Sequence, residues 1–139
     1  MYAPSFRLVS FDLIPPGYKT VILHHLLDAL IIANVAYLLT HRQTPLLYES
    51  GVRYVPEPDD RDEWQDIPDT LQRRGGDCED LGCWLIAERR VVFGETATEP
   101  DISEADLPDS SGRMIRTYHI RVRHPDGRIT DPSKVLGMR

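Results

Sequence analysis

The strongest constraint on the fold is a glycine pair that leads into an acidic cap and an apolar helical run. The segment reads Gly75-Gly76-Asp77-Cys78-Glu79-Asp80-Leu81 and continues to Arg90. Two glycines permit a tight turn with close backbone approach, and Asp77 followed three residues later by Asp80 predicts a capping box. Cys78 then lies in the first helical turn, where the helix dipole and free N–H groups favour a thiolate and can bind an oxyanion. The alternative is a buried structural cysteine.

Size and composition predict one compact domain. The chain has 139 residues, of which 41% are hydrophobic, and this is enough for a single core. We divide it into residues 1–45, an arm followed by an apolar helix, and residues 46–139, which contain the cysteine turn. The net charge of -6 argues against nucleic-acid binding, which requires a basic face. The first residues lack a basic segment before an apolar run, so we expect no signal peptide and synthesis in the cytoplasm.

The N-terminal region combines a short strand pattern with one long helix. Residues 6–14 alternate apolar and polar side chains, which predicts a half-buried strand or arm. Residues 20–41 are apolar around most of the helix circumference, with Thr20 as the predicted N-cap. Four polar residues interrupt this run: His24, His25, Asp28 and Asn34. Because they would lie inside a bilayer, we expect a buried or oligomer-facing helix and no membrane span.

Two acidic stretches flank the cysteine turn. Residues 57–69 contain seven acids and one arginine, without the Asp-x-Asp-x-Asp-Gly spacing of a calcium loop. We interpret them as a solvated segment, in which Trp64, Ile67 and Leu71 are spaced for a short helix leading into the glycine turn. Residues 94–112 contain six acids and no base. Lacking periodicity, they predict a long loop that acts as a lid or binding loop, or is disordered.

Residues 114–131 predict a β-hairpin around the turn His124-Pro125-Asp126-Gly127-Arg128. Proline at the first loop position fits a type I turn, and Gly127 can adopt the left-handed conformation of a three-residue loop with a G1 bulge. A two-residue Asp126-Gly127 turn would shift the register by one residue. The proline favours the three-residue loop.

In the favoured register, the numbers of opposed residues sum to 252. Arg121 then opposes Asp131, His119 opposes Ser133, and His119 and Asp131 become diagonal neighbours on one face. The other face carries Tyr118, Ile120 and Val122.

A thiol, an imidazole and a carboxylate are thus candidates for one catalytic site, with Cys78 as nucleophile, His119 as base and Asp131 orienting the base. For the oxyanion hole we expect the Cys78 N–H, helped by the side chain of Gln72 or Trp64.

A zinc site would use Cys78, Cys83, His119 and His124. The two cysteines point about 140° apart around one helix, and the two histidines lie on opposite faces of a strand. Because structural zinc needs converging ligands, we expect no metal and no cofactor.

Three motifs in this order and spacing resemble the transglutaminase-like thiol enzyme superfamily. They are Gly-Gly-Asp-Cys-Glu-Asp-Leu at 75–81, Tyr118-His119-Ile120, and Thr130-Asp131-Pro132-Ser133, within a match from Tyr48 to Met138. The resemblance implies an α+β fold with a papain- or transglutaminase-like core, in which the cysteine helix packs on a small antiparallel sheet. It also implies the same three catalytic residues. The short length is similar to phage and bacterial members, for which peptide or isopeptide cleavage is expected.

Two functions follow as hypotheses. The first is a thiol hydrolase or acyltransferase that acts on amide or peptide bonds of a peptide or protein substrate, with water favoured as acceptor. The second is a structural or adaptor protein of a phage particle that uses the same fold and assembles with other proteins through residues 1–41. The first requires the thiol and the imidazole to lie near one another.

Overall fold

The computed structural model describes residues 6–7, 16–56 and 63–139. Its helices are α1 (Pro16–Thr40), α2 (Ile67–Arg73), α3 (Cys78–Val91) and α4 (Pro132–Val135), with a 3-10 turn at Leu47–Glu49. Its strands are β1 (Phe6–Arg7), β2 (Arg53–Tyr54), β3 (Glu63–Trp64), β4 (Gly75–Gly76), β5 (Glu99–Pro108), β6 (Met114–Arg123) and β7 (Ile129–Thr130). The predicted strand at 6–14 is seen at β1, which pairs with β3, and its remaining residues lie outside the described part.

The two long helices form the centre of the core. One side of α1 is buried, and the stripe is made of Leu23, Leu27, Leu30, Ile31 and Leu38. Asn34 belongs to the same buried side, and its Oδ1 accepts a hydrogen bond from Ile67 N at 2.9 Å, which ties α1 to the start of α2. The helix begins at Pro16, so the predicted start at Thr20 is wrong. Proline fits a first helical turn, and the Thr20 hydroxyl instead donates to Glu104 Oε1 at 2.8 Å.

Helix α1 is also long and apolar enough to cross a membrane by length and composition. Of its apolar window, 33% is buried inside the protein. Core helices of soluble proteins meet the same length and composition criteria. These criteria therefore do not distinguish a membrane-spanning helix from a core helix.

The predicted short helix is present but starts later than expected. Trp64 lies in strand β3, and α2 begins only at Ile67, because the Asp66 side chain caps it by accepting a hydrogen bond from Asp69 N at 3.1 Å. The helix ends at Arg74, whose φ of 59° is left-handed. This reversal brings the chain into β4 and the cysteine turn.

The prediction of a loop at 94–112 is wrong, since residues 99–108 form the ten-residue strand β5. It pairs antiparallel with β6 from Glu99↔Arg123 to Pro108↔Met114. Asp101 accepts hydrogen bonds from the Arg121 and Arg123 guanidinium groups across the pair. One acid of the predicted loop is thus matched by two arginines of the next strand. The mostly exposed positions of β5 remove the apolar alternation that marks a strand.

The hairpin register is confirmed. Val122 opposes Thr130 and Arg123 opposes Ile129, so the paired numbers sum to 252. Gly127 has φ 87°, and its N–H donates to His124 O at 2.9 Å, as the three-residue loop requires. The ladder ends at Thr130, however, because Asp131 becomes the N-cap of α4. The predicted strand pairing of Arg121 with Asp131 is therefore wrong.

Together these elements form a mixed α+β fold with small sheets. Strand order is β5-β6-β7 in the antiparallel sheet, while β2 runs parallel to β4 with Tyr54 opposite Gly76. Helix α3 packs on β6 at Gly82, where an added Cβ would lie 3.0 Å from Ile120 Cγ2. This packing carries the N-terminus of α3 to the strand that contains His119.

Candidate active site

The cysteine turn has the predicted cap. The Asp77 side chain accepts a hydrogen bond from Asp80 N, and the Asp80 side chain accepts one from Asp77 N at 3.1 Å, which confirms the capping box. Cys78 is the first residue of α3. An added Cβ at Gly76 would lie 2.8 Å from Asp80 Cβ, and one at Gly75 would lie 2.5 Å from Val55 Cγ2. Both glycines are therefore required by close approach.

Asp80 is also the centre of a buried hydrogen-bond network. Its carboxylate accepts from Gln65 N at 2.7 Å and from Gln65 Nε2 at 3.2 Å. The same Gln65 amide donates to Gly75 O at 2.9 Å. One side chain thus ties the glycine turn to the helix cap. The sequence singled out neighbours of Gln65 but no signal pointed to Gln65 itself.

The Cys78 thiol lies between an acid and the edge of β6. Its sulfur is 3.5 Å from Glu79 Oε2 and 3.9 Å from Tyr118 O, and its single proton can serve one of these acceptors at a time. Burial raises the pKa of the thiol well above its ordinary value, and the Glu79 carboxylate raises it further, while the Ile120 N–H opposes the rise. Burial and the Glu79 charge therefore act against the thiolate that the helix N-terminus is expected to favour.

The acids of the turn are themselves affected by burial. Burial raises the pKa of both Asp77 and Asp80 well above the ordinary value, and the Glu79 charge adds to the effect. Asp80 is 1% exposed. The partly exposed Cys78 is thus flanked by acids that are buried.

The base and its partner are assembled. His119 Nε2 lies 2.7 Å from Asp131 Oδ2, with side-chain exposures of 28% and 15%. Asp131 Oδ1 accepts a hydrogen bond from Lys134 N at 3.3 Å, so the start of α4 fixes the carboxylate. Because a carboxylate only accepts hydrogen bonds, Nε2 carries the proton of neutral His119, and Nδ1 has the lone pair that a general base needs.

The Cys78 sulfur contacts the backbone of β6. Tyr118, whose carbonyl contacts the sulfur, immediately precedes His119. Within the described residues, no hydrogen bond joins the sulfur to the His119 ring. His119 and Asp131 are therefore in direct contact, while Cys78 contacts only the backbone of the residue that precedes His119.

Two tyrosines near the site were not predicted from the sequence. Tyr54, opposite Gly76 in the β2–β4 pair, is half-buried, and its pKa is raised by burial and then by the charges of Cys78 and Asp77. Tyr48 has a pKa raised to about 12 by burial, Glu88 and Asp131. The raised pKa keeps the Tyr54 phenol protonated at physiological pH.

The remaining predicted site residues lie as follows. Trp64 is 1% exposed in β3, and Gln72 is exposed on α2. Their oxyanion roles stay predictions. Cys83 is buried with its sulfur 3.8 Å from Leu27 O, and His124 Nε2 lies 2.6 Å from Thr130 Oγ1. In the described ranges, no three His, Cys, Asp or Glu side chains are grouped to hold a metal ion.

Comparison with known proteins adds no identification. The chain matches no protein-family model, no curated protein and no solved structure. The resemblance to the transglutaminase-like superfamily therefore rests on three short motifs, and the function must be argued from the geometry of Cys78, His119 and Asp131.

Proposed function

We propose that the chain is a thiol hydrolase or acyltransferase acting on amide or peptide bonds through Cys78, His119 and Asp131. The observation that carries this proposal is the 2.7 Å contact between His119 Nε2 and Asp131 Oδ2, on the strand whose neighbouring carbonyl contacts the Cys78 sulfur. A half-buried histidine oriented by a capped carboxylate is the pairing that general-base catalysis needs. A papain- or transglutaminase-like core is part of the same proposal.

The reaction begins with a proton transfer. His119 Nδ1 takes the thiol proton, and the resulting thiolate forms a bond to the carbonyl carbon of the amide. The tetrahedral intermediate then collapses, the C–N bond breaks, and the leaving amine takes the proton from His119. Water attacks the thioester next, with His119 again accepting a proton, and the acid product leaves as the thiol is restored.

The oxyanion is stabilised by hydrogen-bond donors. The Cys78 N–H is one of the first four N–H groups of α3, which have no intrahelical partner. We propose the Tyr54 phenol as a second donor, because the charge of Cys78 contributes to its raised pKa and the hydroxyl stays protonated. No cofactor is required for this chemistry. The substrate is a peptide or protein that the chain meets in the cytoplasm or in a phage particle.

The test uses a fluorescent peptidyl acyloxymethyl ketone, which alkylates a thiolate positioned beside a histidine. We expect labelling of the wild-type chain and none of Cys78→Ala. The matched control is Cys83→Ala, which removes the buried thiol and should label like the wild type. Labelling that survives Cys78→Ala, or is lost in Cys83→Ala with an intact fold, contradicts the assignment.

A structural or adaptor role in a phage particle is the second candidate. It is favoured by the raised pKa of the Cys78 thiol and by exposed apolar residues on α1. A chain that serves only this role would give the same slow alkylation rate in the His119→Ala variant as in the wild type. An enzyme would lose at least about tenfold.

A further inference from the structure

One face of α1 is unpartnered in the described structure. It carries large apolar side chains, and these are Tyr18 (65% exposed), Val21 (53%), Ile32 (66%) and Leu39 (51%). With the half-buried Val35, they follow the alternating three- and four-residue spacing of a heptad seam, on the side turned away from the buried stripe. An apolar stripe of this kind marks an interaction surface.

Two polar residues complete the seam at its middle. His25 and Asp28 occupy the heptad positions between Val21 and Ile32, and both are exposed. Within the described residues, neither side chain has a hydrogen bond or an ion pair. A polar pair inside an otherwise apolar seam selects the partner and the register.

We propose that this face binds the same face of a second copy of the chain as an antiparallel pair of α1 helices. In an antiparallel pair, opposed residues have numbers with a constant sum, and a two-fold interface makes each contact twice. A sum of 53 places His25 against Asp28 of the second copy. It also places Val21 against Ile32, and Tyr18 against Val35. Each polar group then meets its complement and each apolar group meets an apolar group.

The neighbouring heptad registers lack this match. A sum of 60 places Asp28 against Ile32 and His25 against Val35. A sum of 46 places Asp28 against Tyr18 and His25 against Val21. Each of these leaves a polar side chain against an apolar one, which costs free energy on desolvation. Charge complementarity therefore favours one register.

A lipid bilayer is the competing occupant, and the same polar pair argues against it. His25 and Asp28 lie within the Gly17–Thr40 stretch, so both would enter the hydrocarbon region without a partner. The opposite side of α1 is covered by the core, including α3. Pairing with a second copy satisfies the polar groups that lipid would leave unsatisfied.

The experiment is sedimentation velocity of the full chain from about 1 to 200 µM, a range that covers weak to moderate self-association. The wild type is expected to reach twice the monomer mass. Ile32→Glu should remain a monomer, because it places a charge against Val21 in both halves of the interface. Val92→Glu, at an exposed residue outside this face, is the matched control and should dimerise like the wild type.

A swap of the polar pair tests the register. His25→Asp alone opposes two carboxylates and should weaken the dimer at least about tenfold. The double variant His25→Asp/Asp28→His restores complementary pairs and should regain the lost affinity. A wild type that stays monomeric at 200 µM, or a dimer unaffected by Ile32→Glu, overturns the proposal. So does flotation of a monomeric wild type with phosphatidylcholine vesicles, which assigns the face to lipid.

The inference does not rest on the thiol chemistry. Peptidyl ketone labelling of Cys78 should be unchanged in Ile32→Glu, because the substituted side chain points away from the core that α3 occupies. Failure of dimerisation and failure of labelling are therefore separate results.

Discussion

The two halves of the candidate site are built differently. The base half joins His119 on β6 to Asp131 at the start of α4 by a 2.7 Å contact, with both side chains partly open to solvent. The nucleophile half holds Cys78 beside three acids, and burial raises the pKa of its thiol. His119 and Asp131 are thus already paired in the free protein, while the raised pKa favours the neutral form of the Cys78 thiol, so in the proposed mechanism the thiol is charged by proton transfer to His119.

The two halves of the site also differ in the contacts that hold them in place. The cysteine turn is held by buried hydrogen bonds from Gln65, Asp77 and Asp80. The base half is held by the β5–β6 ladder, in which His119 opposes Ser103, by two β6–β7 pairs and by one short helix. Substitutions in the first should mainly change stability, and substitutions in the second should mainly change chemistry.

The largest effect is expected from Asp131→Asn. The amide keeps an oxygen for Lys134 N but removes the carboxylate that fixes the His119 tautomer, so the rate of amide hydrolysis should fall about 10²- to 10⁴-fold. Hydrolysis of a fluorogenic peptide library measures it. Asp126→Asn, an exposed turn acid of the same hairpin, should keep the wild-type rate. Equal rates for the two variants would remove Asp131 from the mechanism.

Asp80→Ala should have the largest effect on stability. It leaves Gln65 N, the Gln65 amide and Asp77 N without their acceptor, so the free energy of unfolding should fall by about 3 to 5 kcal/mol. Urea denaturation followed by circular dichroism measures this change. Glu99→Ala, at an exposed position of β5, should change it by less than about 0.5 kcal/mol. A small loss for Asp80→Ala would show that the network does not stabilise the turn.

The effect of Asp80→Ala on the free energy of unfolding should depend on pH. The pKa of Asp80 is raised in the folded protein, so its protonated form stabilises the fold below the unfolded carboxyl value, about pH 4, and this contribution is lost as pH rises through the folded pKa. The difference in the free energy of unfolding between wild type and Asp80→Ala should therefore be larger at about pH 5 than at about pH 8. Both pH values lie above the pKa of the unfolded carboxyl group, which is about 4. The opposite order would mean that the ionised carboxylate is the stabilising form.

Glu79→Gln tests whether the Glu79 charge raises the pKa of the Cys78 thiol. Removing this charge should lower the thiol pKa, so iodoacetamide should alkylate Cys78 at neutral pH at least about threefold faster. The pH profile of alkylation, measured in a Cys83→Ala background, should shift to lower pH. Glu99→Gln should leave the profile in place. An unchanged profile for Glu79→Gln would assign the raised pKa to burial alone.

Local rules predicted the parts of the fold that depend on neighbouring residues. The Asp77–Asp80 capping box and the hairpin register both follow from short-range geometry, and both are confirmed. Strand β5 could not be predicted, because it is held by pairing with β6 and by bonds from Arg121 and Arg123 to Asp101, about twenty residues away. Gln65 and Tyr54 were missed for the same reason, since only the folded chain brings them to the cysteine turn.

The pKa of the Cys78 thiol depends on its tertiary surroundings as well as on its position at a helix N-terminus. A helix N-terminus lowers a thiol pKa when the site is hydrated or positively charged. Here burial and the Glu79 charge act in the opposite direction and raise the thiol pKa. Burial is a property of the tertiary structure, so the sequence pattern around Cys78 indicated the position of the thiol but not its charge.

Gly127→Ala should have the smallest effect and tests how the base half is aligned. Gly127 has φ 87°, so alanine is strained there by about 1 kcal/mol, which calorimetry or urea denaturation can measure. Gly17→Ala is the matched control, because nothing lies within 4 Å of it and its φ is not positive. If the turn fixes the register that brings His119 to Asp131, peptide hydrolysis should fall with stability in Gly127→Ala and not in Gly17→Ala. Full activity in a destabilised Gly127→Ala would show that α4, through Asp131, aligns the base without help from the turn.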